Sequence, residues 1–150
     1  MTSNNTPNTT AYLFVYGTLR RASKHPLAQE VAREARYLDR ACVQGQLFLL
    51  DGYPGLIPST DPRELVYGDL YRLPAGSQLL QRLDAYEECS TEDPQPHEFL
   101  RRQARITTNE GQSVKAWLYL YNRSTAGRIR IASGDFFRAT QSRGELRKES

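Results

Sequence analysis

The chain is poor in the residues that hold metals and build covalent braces. It has two cysteines and two histidines in 150 residues. Cys42 and Cys89 lack the paired spacing of a metal site and the density of a disulfide scaffold, so they read as reduced, packing thiols. His25 and His97 both neighbour prolines and read as surface turn residues, not as ligands or catalytic bases. No metal and no cofactor is therefore expected. No apolar run is long enough to cross a membrane, and the N-terminus lacks the basic and apolar regions of a signal peptide. These features predict no membrane partner and, by default, a cytoplasmic protein; the Asn8-Thr9-Thr10 triplet is discounted as a glycosylation site for the same reason. The excess of positive charge is small, at +3. Arginines are spread among acids, and the densest group, Arg101, Arg102 and Arg105, reads as a strand with partly solvated faces. A nucleic-acid partner would call for a stripe or cluster and is not expected. Oligomeric state is left open.

What is present suits a β-rich globular chain: 39% hydrophobic residues and nine tyrosines. The length fits one domain. Residues 1–10 are polar and aperiodic and read as a flexible N-terminal arm, 11–140 as the domain, and 141–150 as a polar tail. Tyr12 to Tyr16 reads as a buried strand. Pro26 to Leu38 reads as an amphipathic helix, with Leu27, Val31, Ala35 and Leu38 on one side. Cys42 to Leu50 reads as a strand, Asp51 to Pro62 as a Gly/Pro-rich loop, and Leu65 to Leu73 as a strand bent at Gly68. A helix is expected from Pro74 to Glu87, with Pro74 in the first turn. Ser90 to Pro96 is an acidic, proline-bearing loop near the Glu87 segment, read as a connector with a lid as the alternative. Glu98 to Thr107 and Ser113 to Tyr121 form a hairpin turned near Asn109-Glu110-Gly111. Several strands with two or three helices make an α+β protein.

Two segments carry chemistry. Along the later helix, Leu79, Leu80 and Leu83 form an apolar stripe. At about 100° per residue, Glu87 lies about 20° from Leu80 and about 40° from Leu83, whereas Glu88 and Asp84 lean toward water. A carboxylate on such a stripe loses hydration, which raises its pKa and suits it to take and return a proton near neutral pH. The competing reading, that Glu87 lies past the helix end and is merely solvated, stands beside it. In the earlier segment Gly17 ends the first strand. Glycine there permits a tight turn and a close ligand approach. The N–H groups of Thr18, Leu19 and Arg20 can then converge on an anion, with Arg20 and Arg21 adding positive charge. An ordinary strand-to-loop turn is the alternative. The turn has neither the G-x-G-x-x-G nor the G-x-x-x-x-G-K-[ST] spacing of nucleotide sites.

Tyr16-Gly17-Thr18-Leu19 and Leu83-Asp84-Ala85-Tyr86-Glu87 together resemble the paired motifs of the γ-glutamylcyclotransferase superfamily, in its small AIG2-like branch. Gly52-Tyr53-Pro54-Gly55-Leu56-Ile57-Pro58 is similar to that family's proline-bearing loop, and Ile131-Ala132-Ser133-Gly134-Asp135-Phe136 to its closing Ser-Gly-Asp-aromatic element. The resemblance spans about Tyr12 to Ala139. One position departs from it: the family usually has glycine after the catalytic glutamate, and this chain has Glu88, whose charge could raise the pKa of its neighbour.

The resemblance implies a small mixed β-barrel flanked by helices. It also implies a γ-glutamyl amine or γ-glutamyl peptide as small-molecule substrate, closing on itself to release 5-oxoproline and an amine or amino acid, with Glu87 as the single general acid/base. On this reading Tyr16, Gly17, Thr18, Leu19, Arg20 and Arg21 hold the glutamyl carboxylate or carbonyl. The resemblance also suggests that Tyr121 approaches the pocket, with a plain packing role as the alternative; Trp117 and Tyr119, on the same strand, read as packing residues. Tyr53 lines the entrance or anchors its loop. A non-catalytic module binding a small ligand in the same pocket, and an unrelated amide-cleaving reaction there, remain the rival readings.

Overall fold

The structure, a computed structural model, describes residues 11–17, 19–20, 24–87, 89 and 95–138. The expected arm at 1–10 and tail at 141–150 lie outside the described residues, as do Thr18, Arg21 and Glu88. Among the described residues nine elements follow one another: β1 (Ala11–Val15), α1 (Pro26–Glu34), β2 (Arg36–Leu49), β3 (Pro54–Pro58), β4 (Leu65–Leu73), α2 (Leu79–Tyr86), β5 (Phe99–Thr108), β6 (Ser113–Tyr121) and β7 (Ile129–Arg130).

Five strands close a barrel in the order β2-β4-β1-β6-β5, with β5 returning to β2 at Ala41–Thr108 and Cys42–Thr107. The barrel is mixed because β1 runs parallel to β6 and antiparallel to β4. Closure rests on β2. It is 14 residues long, and a register shift between Tyr37 and Asp39 in its pairing with β4 breaks the flat ladder. Such an irregularity increases local twist and lets a strand turn a barrel corner. β3 and β7 add to β2 outside the ring. The expected α+β barrel flanked by helices is the observed architecture.

Side-chain alternation along β1 feeds two apolar layers. Phe14 and Tyr16 join Val43, Leu70, Ile106 and Leu118, contributed by the strands of the ring, inside the barrel. Leu13 and Val15 point the other way, toward Val31 of α1 and Leu79 and Leu83 of α2. A strand covered on both faces needs no polar alternation, which is why Tyr12 to Tyr16 reads as one apolar run. Gly68 is required where β4 crosses the end of β1: a Cβ there would lie 2.2 Å from the Val15 carbonyl oxygen.

Four expectations about element bounds need correction. The second helix begins at Leu79, not Pro74. Pro74 accepts a turn hydrogen bond from Ser77 N–H, Gly76 has φ +75°, and the Ser77 hydroxyl accepts from Leu79 N–H at the start of the helix. The first helix stops at Glu34, because Ala35 is extended and Arg36 already pairs with Arg72 of β4; ladder pairing overrides helical patterning there. For the same reason β2 starts six residues before the expected Cys42. The supposed loop from Asp51 to Pro62 contains β3, whose prolines are tolerated on a strand paired along a single edge.

Candidate functional site

Leu79 and Leu83, both fully buried, press one face of α2 onto the barrel. Glu87 is the C-cap of that helix, and its N–H donates to the Leu83 carbonyl at 2.9 Å. The leucine stripe thus delivers Glu87 to a cavity of about 270 Å³ between the end of α2, the end of β1 and the start of β5. A second clamp fixes the helix end. Asp84 receives Arg101 of β5 at 2.8 and 3.1 Å and the Tyr119 hydroxyl of β6 at 2.7 Å. The Arg101 guanidinium also lies over the Trp117 ring, 4.5 Å from its centre.

Loss of hydration in the cavity pushes Glu87 up to about 7, and the charge of Glu98 adds to the rise. A carboxyl so placed exchanges protons near neutrality. Glu98 also lines the cavity, and its Oε2 accepts the Tyr53 hydroxyl at 2.5 Å. The end of β1 and the turn after it also line the cavity. Tyr16 is buried there; its hydroxyl donates to the Tyr119 carbonyl at 2.6 Å and accepts from Leu56 N–H at 3.3 Å. Burial, and then the nearby Glu87, hold the Tyr16 phenol well above its ordinary pKa. Gly17 and Leu19 complete this wall. At Gly17 a Cβ would come within 2.7 Å of the Pro54 ring, so glycine is what allows the proline-bearing segment to close over the turn.

Glu87, Tyr16, Gly17, Leu19 and Tyr53 therefore share one cavity, as the sequence motifs suggest. Arg20 does not join them. Its guanidinium is buried behind the turn, bonded to Asp135 at 2.8 Å, 3.7 Å from Asp69 and stacked on Phe137. Its backbone N–H is spent on the Gly17 carbonyl at 3.1 Å, which removes one donor from the expected anion nest. Tyr121 also faces elsewhere: it packs edge-on to Phe99 and against Gly55. Tyr119, which sequence reasoning assigns to packing, lines the cavity instead, because the register with β5 carries the end of β6 past it. Burial and the Asp84 hydrogen bond raise its pKa. Glu98 and Tyr86 are further wall residues that sequence reasoning missed. Glu98 stands first in the expected strand Glu98 to Thr107, just before β5, and belongs to neither sequence motif, so nothing local marks it as a cavity residue. Among the described residues, no group of three or more His, Cys, Asp or Glu is placed to hold a metal, and no helix is long and apolar enough to cross a membrane.

Residues 13–138 match the family model described as gamma-glutamyl cyclotransferase, AIG2-like. A Drosophila melanogaster protein provisionally named gamma-glutamylcyclotransferase CG2811 is 28% identical over 116 residues, covering 73% of this chain and 69% of its own length. The crystal structure of an AIG2-like protein from Mus musculus superimposes with a TM-score of 0.60 at 25% identity, over 74% of this chain and 76% of that one. YkqA from Bacillus subtilis shares the fold with a TM-score of 0.64 at 22% identity; the match covers 95% of this chain and 44% of YkqA.

Proposed function

The chain belongs to the AIG2-like gamma-glutamyl cyclotransferase family, and from that premise we propose that it converts a γ-glutamyl amine or γ-glutamyl peptide into 5-oxoproline and the free amine or amino acid. The observation that carries this reading is the position of Glu87: one carboxyl, pushed up to about 7, lining a small cavity together with the glycine turn after β1.

The substrate's α-amine nitrogen attacks its own γ-carbonyl carbon, a C–N bond closes the five-membered lactam, and the bond to the leaving nitrogen breaks. Glu87 takes in turn the two protons that this nitrogen sheds between α-ammonium and lactam N–H and delivers them to the leaving nitrogen, which departs as an ammonium, so the cycle is proton-neutral. Because the nucleophile is tethered, holding the cyclising conformer supplies much of the acceleration. The backbone N–H groups of Gly17 and Leu19 are the donors for the glutamyl carboxylate or carbonyl. Tyr16 and Tyr53 shape the walls, and Arg20 braces the turn from behind. The cavity lies just under the range of about 300–1,000 Å³ typical of drug-sized ligands, which suits a glutamyl head with its leaving group partly outside.

The test is release of 5-oxoproline from a panel of γ-glutamyl amines and dipeptides. The unmodified protein is expected to form lactam, and Glu87→Gln to lose at least about a hundredfold in kcat while remaining folded. The rate at low substrate should rise with pH through about 7, as Glu87 loses the proton that blocks it as a base. Ligand-dependent thermal stabilisation with no lactam from any substrate would instead identify a binding module.

A further inference from the structure

Two carboxylates face the cavity, yet the proposed cyclisation uses one. Among the described wall residues there is no lysine, arginine or histidine, so the cavity has two acids and no cation of its own. Glu98 is not a stray surface charge. Its carboxylate is fixed by the Tyr53 hydroxyl at 2.5 Å, and its carbonyl accepts Asn122 N–H at 2.7 Å. The neighbouring His97 carbonyl is tied to the Asn122 side chain at 3.0 Å. Backbone and side chain are thus both held, and the carboxylate is close enough to Glu87 to disfavour a second negative charge there. Two like charges in a partly dry pocket are unfavourable until a cation arrives. Resting on the cyclotransferase reading above, we propose that Glu98, oriented by Tyr53, is a substrate-binding residue that receives the α-ammonium of the γ-glutamyl group and presents it to Glu87.

The roles then divide. Glu98 attracts and orients the ammonium, and Glu87 exchanges its proton. A glutamyl compound without a free α-ammonium is rejected at the binding step, before any chemistry. The selectivity is electrostatic and depends on residue 98, which lies outside both sequence motifs.

Binding without turnover tests this. In a Glu87→Gln background, calorimetry compares L-glutamine with glutaramic acid, the same molecule without the α-amine. The expected result is a preference for L-glutamine on the order of tenfold, which Glu98→Gln abolishes and Tyr53→Phe narrows. No preference in the Glu87→Gln protein, or a preference that survives Glu98→Gln, overturns the assignment; an unchanged preference in Tyr53→Phe removes Tyr53 from it. Failure of the two proposals is separable. A Glu98-dependent preference with no lactam from the unmodified protein defeats the reaction alone, and lactam release with a preference indifferent to Glu98 defeats this role alone.

Discussion

Glu87 is stabilised as a neutral acid by the cavity that makes it useful as a base. Its folded pKa of about 7 lies above the ordinary carboxyl value of 4.5. The folded state therefore holds this proton more tightly than the unfolded chain does, and stability is lost as pH rises from about 4.5 through about 7. Glu87→Gln removes that loss. Because the residue is only partly buried, the full shift is discounted for solvent to about 1 kcal/mol, or about 3 °C in Tm for a chain of this size. Thermal melts at pH 5 and pH 8 check this: the variant should match the parent at pH 5 and exceed it at pH 8. An inactive variant that gains stability only above neutrality would show a trade of stability for function at a single side chain.

At the scale of an element, α2 is too short to place Glu87 on its own. Eight residues make a marginal helix, and no side chain of its N-cap Gln78 closes the first turn. Its position is set by the buried Leu79 and Leu83 and by the Asp84 bonds to Arg101 and Tyr119. Asp84→Ala leaves the half-buried Arg101 without its carboxylate and frees the end of the helix. A loss of about 2 kcal/mol is expected in urea denaturation, with a fall in kcat greater than that seen for Tyr119→Phe, which removes one hydrogen bond and keeps the ion pair. The turn between β1 and α1 is a second such element. Gly17→Ala drives a methyl into the Pro54 ring, and a loss of about 1–3 kcal/mol is expected, together with a higher KM because the cavity wall moves.

Across the whole molecule, distant segments meet at Arg20. This buried guanidinium joins the turn after β1 to Asp69 in β4 and to Asp135 near the end of the described chain. Gly134 makes the contact possible. Its φ of +72° and its approach to the Leu65 carbonyl leave no room for a side chain, and its own carbonyl accepts Tyr67 N–H at 2.8 Å. Phe136 fills the barrel interior beside this clasp. Asp135→Ala leaves the buried Arg20 with Asp69 as its remaining carboxylate and is expected to cost about 2 kcal/mol in chemical denaturation. Activity per folded molecule should fall less than in Asp84→Ala, since Arg20 stands behind the cavity.

The chain's own order of residues was sufficient for some of this. The leucine spacing that puts Glu87 on a core-facing stripe, the glycine ending the first strand, the bounds of β4 and β6, and the pairing of β5 with β6 all follow from local period and turn chemistry, which need only near neighbours. Closure of the barrel did not follow, because the contact of β2 with β5 joins residues far apart, and no local pattern encodes which edges meet. The same reason accounts for the strand hidden among the prolines at 54–58 and for the early end of α1, where ladder partners outweighed propensity. Within the site, a side chain's type was readable but its direction was not. Arg20 turned to two aspartates, Tyr121 to an aromatic cluster and Tyr119 to Asp84, while Glu98 came to line the cavity, because direction is decided by what the fold places opposite each residue.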